Sequence, residues 1–294
     1  MDDDPPPGLV CAPPAAPLRG HVLGYRGHRL SLPGPRARRE VPIGSVNVLL
    51  GLGEPVRQRN AVTGRDKGTY ASLVAGLHTT ATIGEHDGRV HGLEVSLTPM
   101  AAFAVFGLPM AELSERSVDL ADALGPGTGG LLDRLAGLPD WPSRFALLDG
   151  VLAGRLRDGP RWSPEVARAW RTLDRAAGLA RVADLARDVG WSRRHLERRF
   201  REQVGLSPKS LARVLRLQRA LALHDRGHDM AGVAAVSGFY DQAHLLRCYR
   251  EMVGCTPRQF RAERAAALPA PLDRVPGTVT SAVVAATRTP TPWP

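Results

Sequence analysis

Residues 182–208, VADLARDVGWSRRHLERRFREQVGLSP, are repeated in residues 230–257 as MAGVAAVSGFYDQAHLLRCYREMVGCTP. The matching positions are 48 residues apart up to the central glycine, Gly190 or Gly238, and 49 residues apart beyond it, so the second copy has one extra residue in its turn. Each copy joins a short amphipathic segment to a longer one across that glycine, which is the pattern of a helix-turn-helix unit. The sequence therefore predicts a duplicated helix-turn-helix.

Each turn carries residues that end one helix and begin the next. Gly190 can adopt the positive φ that ends a helix, and Ser192 offers a side-chain oxygen to cap the following helix, as Asp241 does in the second copy. Gly205 and Gly254 end the second helices, and a proline follows three residues after each of them. These signals fix where the helices of both units begin and end.

The stretch between the two copies, residues 207–227, has apolar residues at helical spacing and predicts one long helix. A rigid helix would fix the distance between the two units. Their second helices would then be able to enter successive major grooves of DNA, about 34 Å apart. A single chain would in this way contact two groove segments.

The outward face of each second helix is rich in side chains suited to DNA. In the first copy these are Arg193, Arg194, Glu197, Arg198 and Arg201, and in the second they are Gln242, Ala243, Leu246, Arg247 and Arg250. Arginine can bind guanine, glutamine can bind adenine, glutamate can accept from cytosine, and alanine can touch the methyl group of thymine. A solvated arginine-rich face is the alternative interpretation. The shared caps, core and basic face of two copies favour DNA binding.

Residues 179–265 resemble the DNA-binding domain of the AraC-type (arabinose-operon regulator) family of bacterial transcription regulators. The resemblance lies in the segments SRRHLERRFREQVGLSPKSLARVLRLQRAL and VAAVSGFYDQAHLLRCYREMVGCTPRQFR. It implies two helix-turn-helix units joined by a helix, a separate domain that senses an effector or dimerises, and double-stranded DNA as the partner. It also implies a cytoplasmic activator that contacts RNA polymerase, as a monomer or a homodimer.

The resemblance assigns roles to individual positions. The residues expected to contact bases are Arg194, Glu197, Arg198, Gln242, Ala243 and Arg247. The residues expected to contact the DNA backbone are Ser192, Arg193, Arg201 and Arg250. Two positions depart from the family pattern, since Leu246 stands where a polar base contact is common and Leu245 where an aromatic core residue is common.

Charge is concentrated in the same part of the chain. Residues 179–265 contain 17 Lys and Arg against 9 Asp and Glu, whereas the whole chain of 294 residues has a formal net charge of +10. Most of the positive charge therefore lies where phosphate contact is expected, and DNA affinity should fall steeply with salt. The length leaves room for about two domains.

Residues 19–160 predict a β-rich domain followed by a helical bridge. Short runs with strand character are separated by Gly, Pro or Asp, and they are Val22–Tyr25, Ser45–Leu52, Thr69–Leu77, His78–Ile83 and Val90–Leu97. The Asp87-Gly88 pair predicts a hairpin turn. Helical segments follow near 98–108, 118–137 and 140–156. We therefore expect an α+β chain: a small antiparallel β-barrel or sheet, cupin-like and used for sensing or dimerisation, before an all-α domain.

The expected organisation has five segments. They are a disordered arm over 1–18, the β-rich domain over 19–160, a linker helix over 161–178, the double helix-turn-helix domain over 179–265 and a disordered tail over 266–294. The two ends are assigned as disordered because they are rich in Pro, Ala, Thr and acidic residues. The first residues lack the pattern of a signal peptide, and no apolar run predicts a membrane span.

An enzymatic N-terminal domain is the alternative hypothesis. A metal-binding β-barrel uses two close histidines, a carboxylate and a more distant histidine, and the candidate ligands are His21, His78, Glu85, His86, Asp87 and His91. We nevertheless expect no metal, no cofactor and no enzymatic activity, because polar residues are ordinary in the predicted turn at His86 and Asp87. The cysteines, at positions 11, 248 and 255, lack metal spacing and are expected to be free thiols.

Overall fold

The computed structural model describes residues 8–266, Asp273, Val275 and residues 278–284. The N-terminal part contains two antiparallel sheets with helices on one side, and the C-terminal part is helical. The α+β class is confirmed. The β-rich part consists of two open sheets and not of a closed barrel, because the two edges of each sheet do not pair with each other.

The chain contains the following strands: β1 (Gly8–Ala12), β2 (Val22–Ser31), β3 (Arg36–Glu40), β4 (Val46–Gly51), β5 (Val56–Asn60), β6 (Asp66–Tyr70), β7 (Leu73–Ala75), β8 (Thr82–His86), β9 (Arg89–Leu97), β10 (Ser117–Asp119) and β11 (Ser281–Val284). The first helices are α1 (Pro99–Phe106), α2 (Leu120–Leu124), α3 (Thr128–Ala136), α4 (Trp141–Asp158) and α5 (Pro164–Arg175). The remaining helices are α6 (Val182–Asp188), α7 (Arg193–Val204), α8 (Pro208–Asp225), α9 (Met230–Val236), α10 (Gln242–Val253) and α11 (Pro257–Ala265).

The two sheets have the orders β1-β2-β9-β4-β7-β10 and β11-β3-β8-β5-β6. Side chains of successive residues on β2 point to opposite faces of the six-stranded sheet. Tyr25 points towards α4 and donates a hydrogen bond to Asp149 at 2.8 Å. A Cβ atom at Gly27 would overlap the ring of Trp141, so a glycine at this position lets α4 lie close to the sheet. Arg26 and His28 point the other way, towards the five-stranded sheet.

The Asp87-Gly88 turn is not a hairpin, which corrects the sequence prediction. It joins β8 to β9, but β8 pairs with β3 and β5 whereas β9 pairs with β2 and β4. The turn therefore carries the chain from one sheet to the other. His86 is the last residue of β8, and its Nδ1 accepts a hydrogen bond from the Gly88 amide at 3.1 Å.

The disorder predicted for the two ends is wrong where the structure describes them. Strand β1 pairs with β2, and Leu18 is buried, so residues 8–18 belong to the sheet region. Strand β11 pairs with β3, and the apolar side chains of Val279 and Ala282 are buried. Disorder was also predicted for residues 1–7, 267–272, 274, 276, 277 and 285–294, which lie outside the described residues.

The helix predicted over 161–178 is α5, and it does not serve as a linker. It packs against α6, α7 and α8, and its residues Val166, Ala169 and Leu173 are fully buried. At its start, the Ser163 hydroxyl accepts a hydrogen bond from Gln203 Nε2 of α7 at 3.1 Å. Helix α5 is therefore part of the core of the first helix-turn-helix unit.

Candidate nucleic-acid interface and inter-sheet cavity

The first helix-turn-helix unit, α6 and α7, has the turn that its sequence predicts. Gly190 has a φ of 70°, and the Trp191 amide donates to the Ala186 carbonyl at 3.0 Å, which closes the end of α6. The Ser192 hydroxyl then accepts from the His195 amide at 3.2 Å and caps α7. The glycine and the cap together set the angle at which α7 leaves the turn.

The second unit, α9 and α10, repeats this geometry with one more residue in the turn. Gly238 has a φ of 73°, and the Phe239 amide donates to the Ala234 carbonyl at 3.0 Å. The Asp241 carboxylate accepts from the His244 amide at 2.6 Å and caps α10. The predicted duplication is confirmed at the level of individual hydrogen bonds.

The inner faces of α7 and α10 are fully buried. The residues concerned are Leu196, Phe200 and Val204 in α7 and Leu245, Tyr249 and Val253 in α10, each 0% exposed. They pack around α8, whose Leu211, Val214 and Leu217 are also buried. Because both inner faces pack on the one helix α8, the outer faces of α7 and α10 have a fixed relation to each other.

The residues expected to contact DNA lie on those outer faces. All ten are exposed apart from Glu197, which is half-buried. In the described part of the chain, Arg193, Arg194, Arg201, Arg247 and Arg250 form no ion pair or hydrogen bond through their side chains, and Arg198 contacts only His195, at 3.3 Å. The guanidinium groups are thus available to an external anion.

Arg199 shows the contrast on the same helix. It lies on the flank of α7, where it pairs with Glu202 at 2.7 Å and donates to Ser163 at 3.2 Å. Its positive charge is therefore neutralised within the protein, by Glu202. The residue types are the same on both sides of the helix, but only the outer arginines remain unpaired.

Tyr240 is a candidate interface residue that sequence reasoning missed. Its side chain is 93% exposed, the highest value among the large exposed hydrophobic residues of the described chain. It immediately precedes Asp241, the cap of α10. The ring is exposed to water beside the start of α10, the helix that carries Gln242, Ala243 and Arg247. Tyr240 is therefore a further candidate for DNA contact. The available signal was a pair of adjacent aromatic residues in the turn, Phe239 and Tyr240, of which Phe239 is buried.

The second unit is docked on the five-stranded sheet. Arg39 of β3 binds Glu263 of α11 through two hydrogen bonds, of 2.9 and 3.0 Å, and also donates to the Val253 carbonyl at 2.9 Å. Gln218 of α8 donates to the Pro42 carbonyl at 2.7 Å. These contacts connect the end of β3 to both the linking helix and the second unit.

A cavity of about 190 Å³ lies between the two sheets. Alternate side chains of β2 and β3 line it, including Arg26, His28, Arg38 and Glu40. Arg39, between the last two, points out of the cavity to the helix-turn-helix domain. Residues 38–42 therefore contact the cavity on one side and the DNA-binding domain on the other.

The buried His28 and the half-buried His78 both line this cavity. Burial lowers the pKa of His28 to about 4, although Glu94 partly opposes the shift. Burial, with a smaller contribution from Lys67, lowers the pKa of His78 to about 3. Both imidazoles are therefore neutral at physiological pH.

Burial of neutral His28 is expected to make the protein less stable as the pH falls from about 6.5 towards 4. The histidine of the unfolded chain binds a proton near pH 6.5, but the folded chain binds it only near 4. Protonation therefore favours the unfolded chain across this interval. The loss from this residue approaches about 3 kcal/mol at the acid end.

The measurement is the free energy of unfolding in urea at about pH 7.5 and about pH 4.5. The variant His28→Gln should lose less stability between these values than the wild type does. The exposed His228 supplies a surface control, and His228→Gln should keep the wild-type difference. An unchanged pH dependence in His28→Gln would contradict this prediction.

The six residues of the metal-site hypothesis do not come together. Glu85 pairs with Arg59 on the outer face of the five-stranded sheet, His91 contacts Arg144 of α4, and His21 packs against Trp162. Within the ranges that the structure describes, no three His, Cys, Asp or Glu side chains are arranged to hold a metal ion. The arrangement on which the enzyme alternative depended is therefore not found.

All three cysteines are free. Cys11 is exposed, while Cys248 is buried with its Sγ at 3.4 Å from Met252 Sδ. Burial raises the pKa of Cys255 to about 11, so this thiol is a weak nucleophile at physiological pH. Among the helices of the described residues, none has the length and apolar character needed to cross a membrane.

Two capped helix-turn-helix units on one linking helix, each with an unpaired basic outer face, define the class of a DNA-binding domain. Comparison of the sequence with known protein families agrees, since residues 185–263 match the family described as helix-turn-helix domain. This match covers both units and agrees with the resemblance of residues 179–265 to the DNA-binding domain of the AraC-type family.

Curated relatives resemble this part of the chain. The HTH-type transcriptional regulator GbdR of Pseudomonas aeruginosa is 37% identical over 94 residues, which are 32% of this chain and 26% of GbdR. The uncharacterized HTH-type transcriptional regulator YbfI of Bacillus subtilis is 37% identical over 62 residues, 21% of this chain and 22% of YbfI. The chain thus matches about a quarter of the length of these relatives.

Two solved structures resemble about a third of the chain, and a third structure aligns over most of it. An AraC-type transcriptional regulator from Chromobacterium violaceum is 31% identical over 35% of this chain and 94% of its own, with a TM-score of 0.33. The DNA-binding domain of AdpA in complex with a target DNA is 26% identical over 34% of this chain and 92% of its own, with a TM-score of 0.32. ToxT from Vibrio cholerae is 8% identical over 81% of this chain and 97% of its own, with a TM-score of 0.45.

Proposed function

We propose that this protein is a sequence-specific transcription regulator that binds two adjacent major-groove segments with α7 and α10. The observation that carries the proposal is the pair of outer faces. Each lies on a helix with a side-chain cap and a buried inner face, and each bears unpaired arginines. The helix α8 holds the two faces on one rigid support. A monomer can therefore present both, and a homodimer would present four.

The proposed contacts divide into two groups. Arg194, Glu197, Arg198, Gln242, Ala243 and Arg247 contact base edges. Ser192, Arg193, Arg201 and Arg250 contact phosphates, together with the amino ends of α7 and α10, where unpaired backbone amides attract anions. Leu246 is half-buried, which supports a packing role for that residue.

The N-terminal domain is proposed to respond to a small-molecule effector. The support is the segment 38–42, which lines the cavity through Arg38 and Glu40 and binds the second unit through Arg39. A ligand that favours one arrangement of this segment would favour one position of α10, which is a linkage between two sites. The family resemblance further supports an activator that contacts RNA polymerase in the bacterial cytoplasm.

The decisive experiment is selection of bound DNA from a random pool by the full-length protein. Two short sequence boxes about one helical turn, ~10 base pairs, apart are expected. Enrichment of a single box would show that only one unit reads sequence. Binding with no preferred sequence would overturn the proposal.

Replacing Arg198 or Arg247 with alanine is expected to cost about 1–3 kcal/mol of binding free energy on the selected DNA and to relax preference at one base position. Arg201→Ala should instead weaken binding to all sequences alike and reduce the salt dependence by about one phosphate contact. Titrations on the selected site and on single-base variants measure both effects. Equal losses on every sequence for Arg198→Ala would show that this residue contacts the backbone.

A further inference from the structure

The inter-sheet cavity has charged walls, but their charges cancel. Arg26 pairs with Glu94 at 2.7 Å, and Arg38 pairs with Glu40 at 3.1 Å. Burial lowers the pKa of the three lining histidines, His28, His78 and His86, which leaves them neutral at physiological pH. A ligand with a net charge would find no opposite net charge in this cavity, and burying an unmatched charge is costly.

Two of the buried polar atoms on the lining are acceptors without a donor in the described part of the chain. The unpartnered His28 Nδ1, Ser45 Oγ and Ser117 Oγ of the same lining can either donate or accept. The ring nitrogen Nδ1 of His78 lies at hydrogen-bond distance from the Gly76 carbonyl, which can only accept. The hydrogen is therefore on Nδ1, and the opposite nitrogen, Nε2, is an acceptor. This Nε2 and the Oε1 of Gln58 are both buried without a partner. Each such group costs about 1–3 kcal/mol unless a donor reaches it.

The size of the cavity limits the ligand to about one ring. Its volume is about 190 Å³, and an apolar cavity of about 150 Å³ accommodates benzene. A single water needs only about 10–15 Å³, so the space exceeds that of a bridging water. The side chains of Leu30, Val48 and Val56 are among the apolar parts of the lining, and they would contact the ring.

We propose that the cavity binds a neutral ligand of about one ring that donates an O–H or N–H hydrogen bond to Gln58 Oε1, His78 Nε2 or both. The inference rests on the proposed effector-responsive function and names the chemical class of the effector. Charge cancellation excludes ionised ligands of the same size, the unpartnered acceptors require a donor, and the volume sets the number of atoms.

The test compares three probes that share one ring and differ in the polar group: phenol, toluene and benzoate. Isothermal titration calorimetry with the full-length protein should give phenol an affinity at least about tenfold higher than toluene, the effect of one buried hydrogen bond. Benzoate, which is ionised at neutral pH, should not bind measurably. Benzoate binding as tightly as phenol, or no binding of phenol, would overturn the proposal.

Variants locate the site. The double variant Gln58→Leu with His78→Leu should lose most of the preference for phenol over toluene, whereas Arg57→Leu, on the outer face of the same strand as Gln58, should keep it. Ala75→Leu, which adds bulk to the lining, should abolish phenol binding, so the test does not depend on one variant. Retention of phenol binding in Ala75→Leu would place the ligand elsewhere.

DNA affinity, measured on the same samples, separates the two proposals. Sequence-specific DNA binding without phenol binding would contradict the proposed ligand class but not the proposal that the protein is a regulator. Phenol binding without any DNA sequence preference removes the regulator proposal and retains the cavity as a ligand site.

Discussion

Replacing Arg39 with alanine is expected to lower the free energy of unfolding by about 3–5 kcal/mol, the cost of removing one member of a buried ion pair. The side chains of Arg39 and Glu263 are only 8% and 14% exposed. In the variant, the Glu263 carboxylate keeps its charge but loses two hydrogen bonds, and the Val253 carbonyl at the end of α10 loses a third. The destabilisation should therefore appear where the second unit docks on β3.

Urea unfolding of the full-length protein measures the effect, with Arg57→Ala as the matched control. Arg57 also lies in the five-stranded sheet and pairs with Asp66, but the two side chains are 44% and 57% exposed. An exposed pair contributes at most about 1 kcal/mol. Equal losses in the two variants would show that burial does not decide the strength of the Arg39 contact.

The same variant tests whether docking restrains the DNA-binding domain. Without Arg39, the second unit is held to the N-terminal domain by fewer contacts, including the hydrogen bond from the Ala81 amide to the Met252 carbonyl. The linking helix α8 keeps its hydrogen bond from Gln218 to the Pro42 carbonyl. Arg39→Ala is expected to tolerate one or two extra base pairs between the two boxes better than the wild type. An unchanged spacing requirement would assign the restraint to α8 alone.

Sequence reasoning succeeded where neighbouring residues decide the structure. The caps Ser192 and Asp241 accept hydrogen bonds from amides three residues away. The start of α7 and of α10 therefore depends on a few adjacent residues. The outer face of α7 follows from helical periodicity once its start is known. For this reason, the exposed arginines could be named before the fold was known.

Sequence reasoning failed where distant residues decide the structure. The sequences of β3 and β5, RARRE and VRQRN, carry more charge than is usual in a sheet. Their arginines pair with distant carboxylates: Arg39 with Glu263, 224 positions away, and Arg59 with Glu85, 26 positions away. The cavity was missed for a related reason, since its lining depends on which face of each strand points inwards. That register is set by pairing between strands that are far apart in the chain.

Replacing Phe200 with alanine is expected to destabilise the protein by about 3–5 kcal/mol, the usual cost of deleting a buried aromatic side chain. Phe200 is 0% exposed and lies in the core beneath the arginines of α7. Its removal leaves a cavity in the core between α7 and the helices that pack on it, α1, α5, α6 and α8. The loss should fall on the first helix-turn-helix unit.

Phe200→Ala removes no charge from the DNA-binding face, so its effect on DNA binding depends on where the arginines of α7 are placed. Phe200 does not reach the outer face, so any loss of affinity in Phe200→Ala must come from displacement of Arg194 and Arg198, which α7 carries. We expect weaker binding at the first box and normal preference at the second, measured by titration on DNA variants of each box. Phe200→Leu retains most of the buried volume and should lie much closer to the wild type in both stability and affinity. Full affinity at the first box in Phe200→Ala, despite the lost stability, would show that α7 reads DNA without the support of its core.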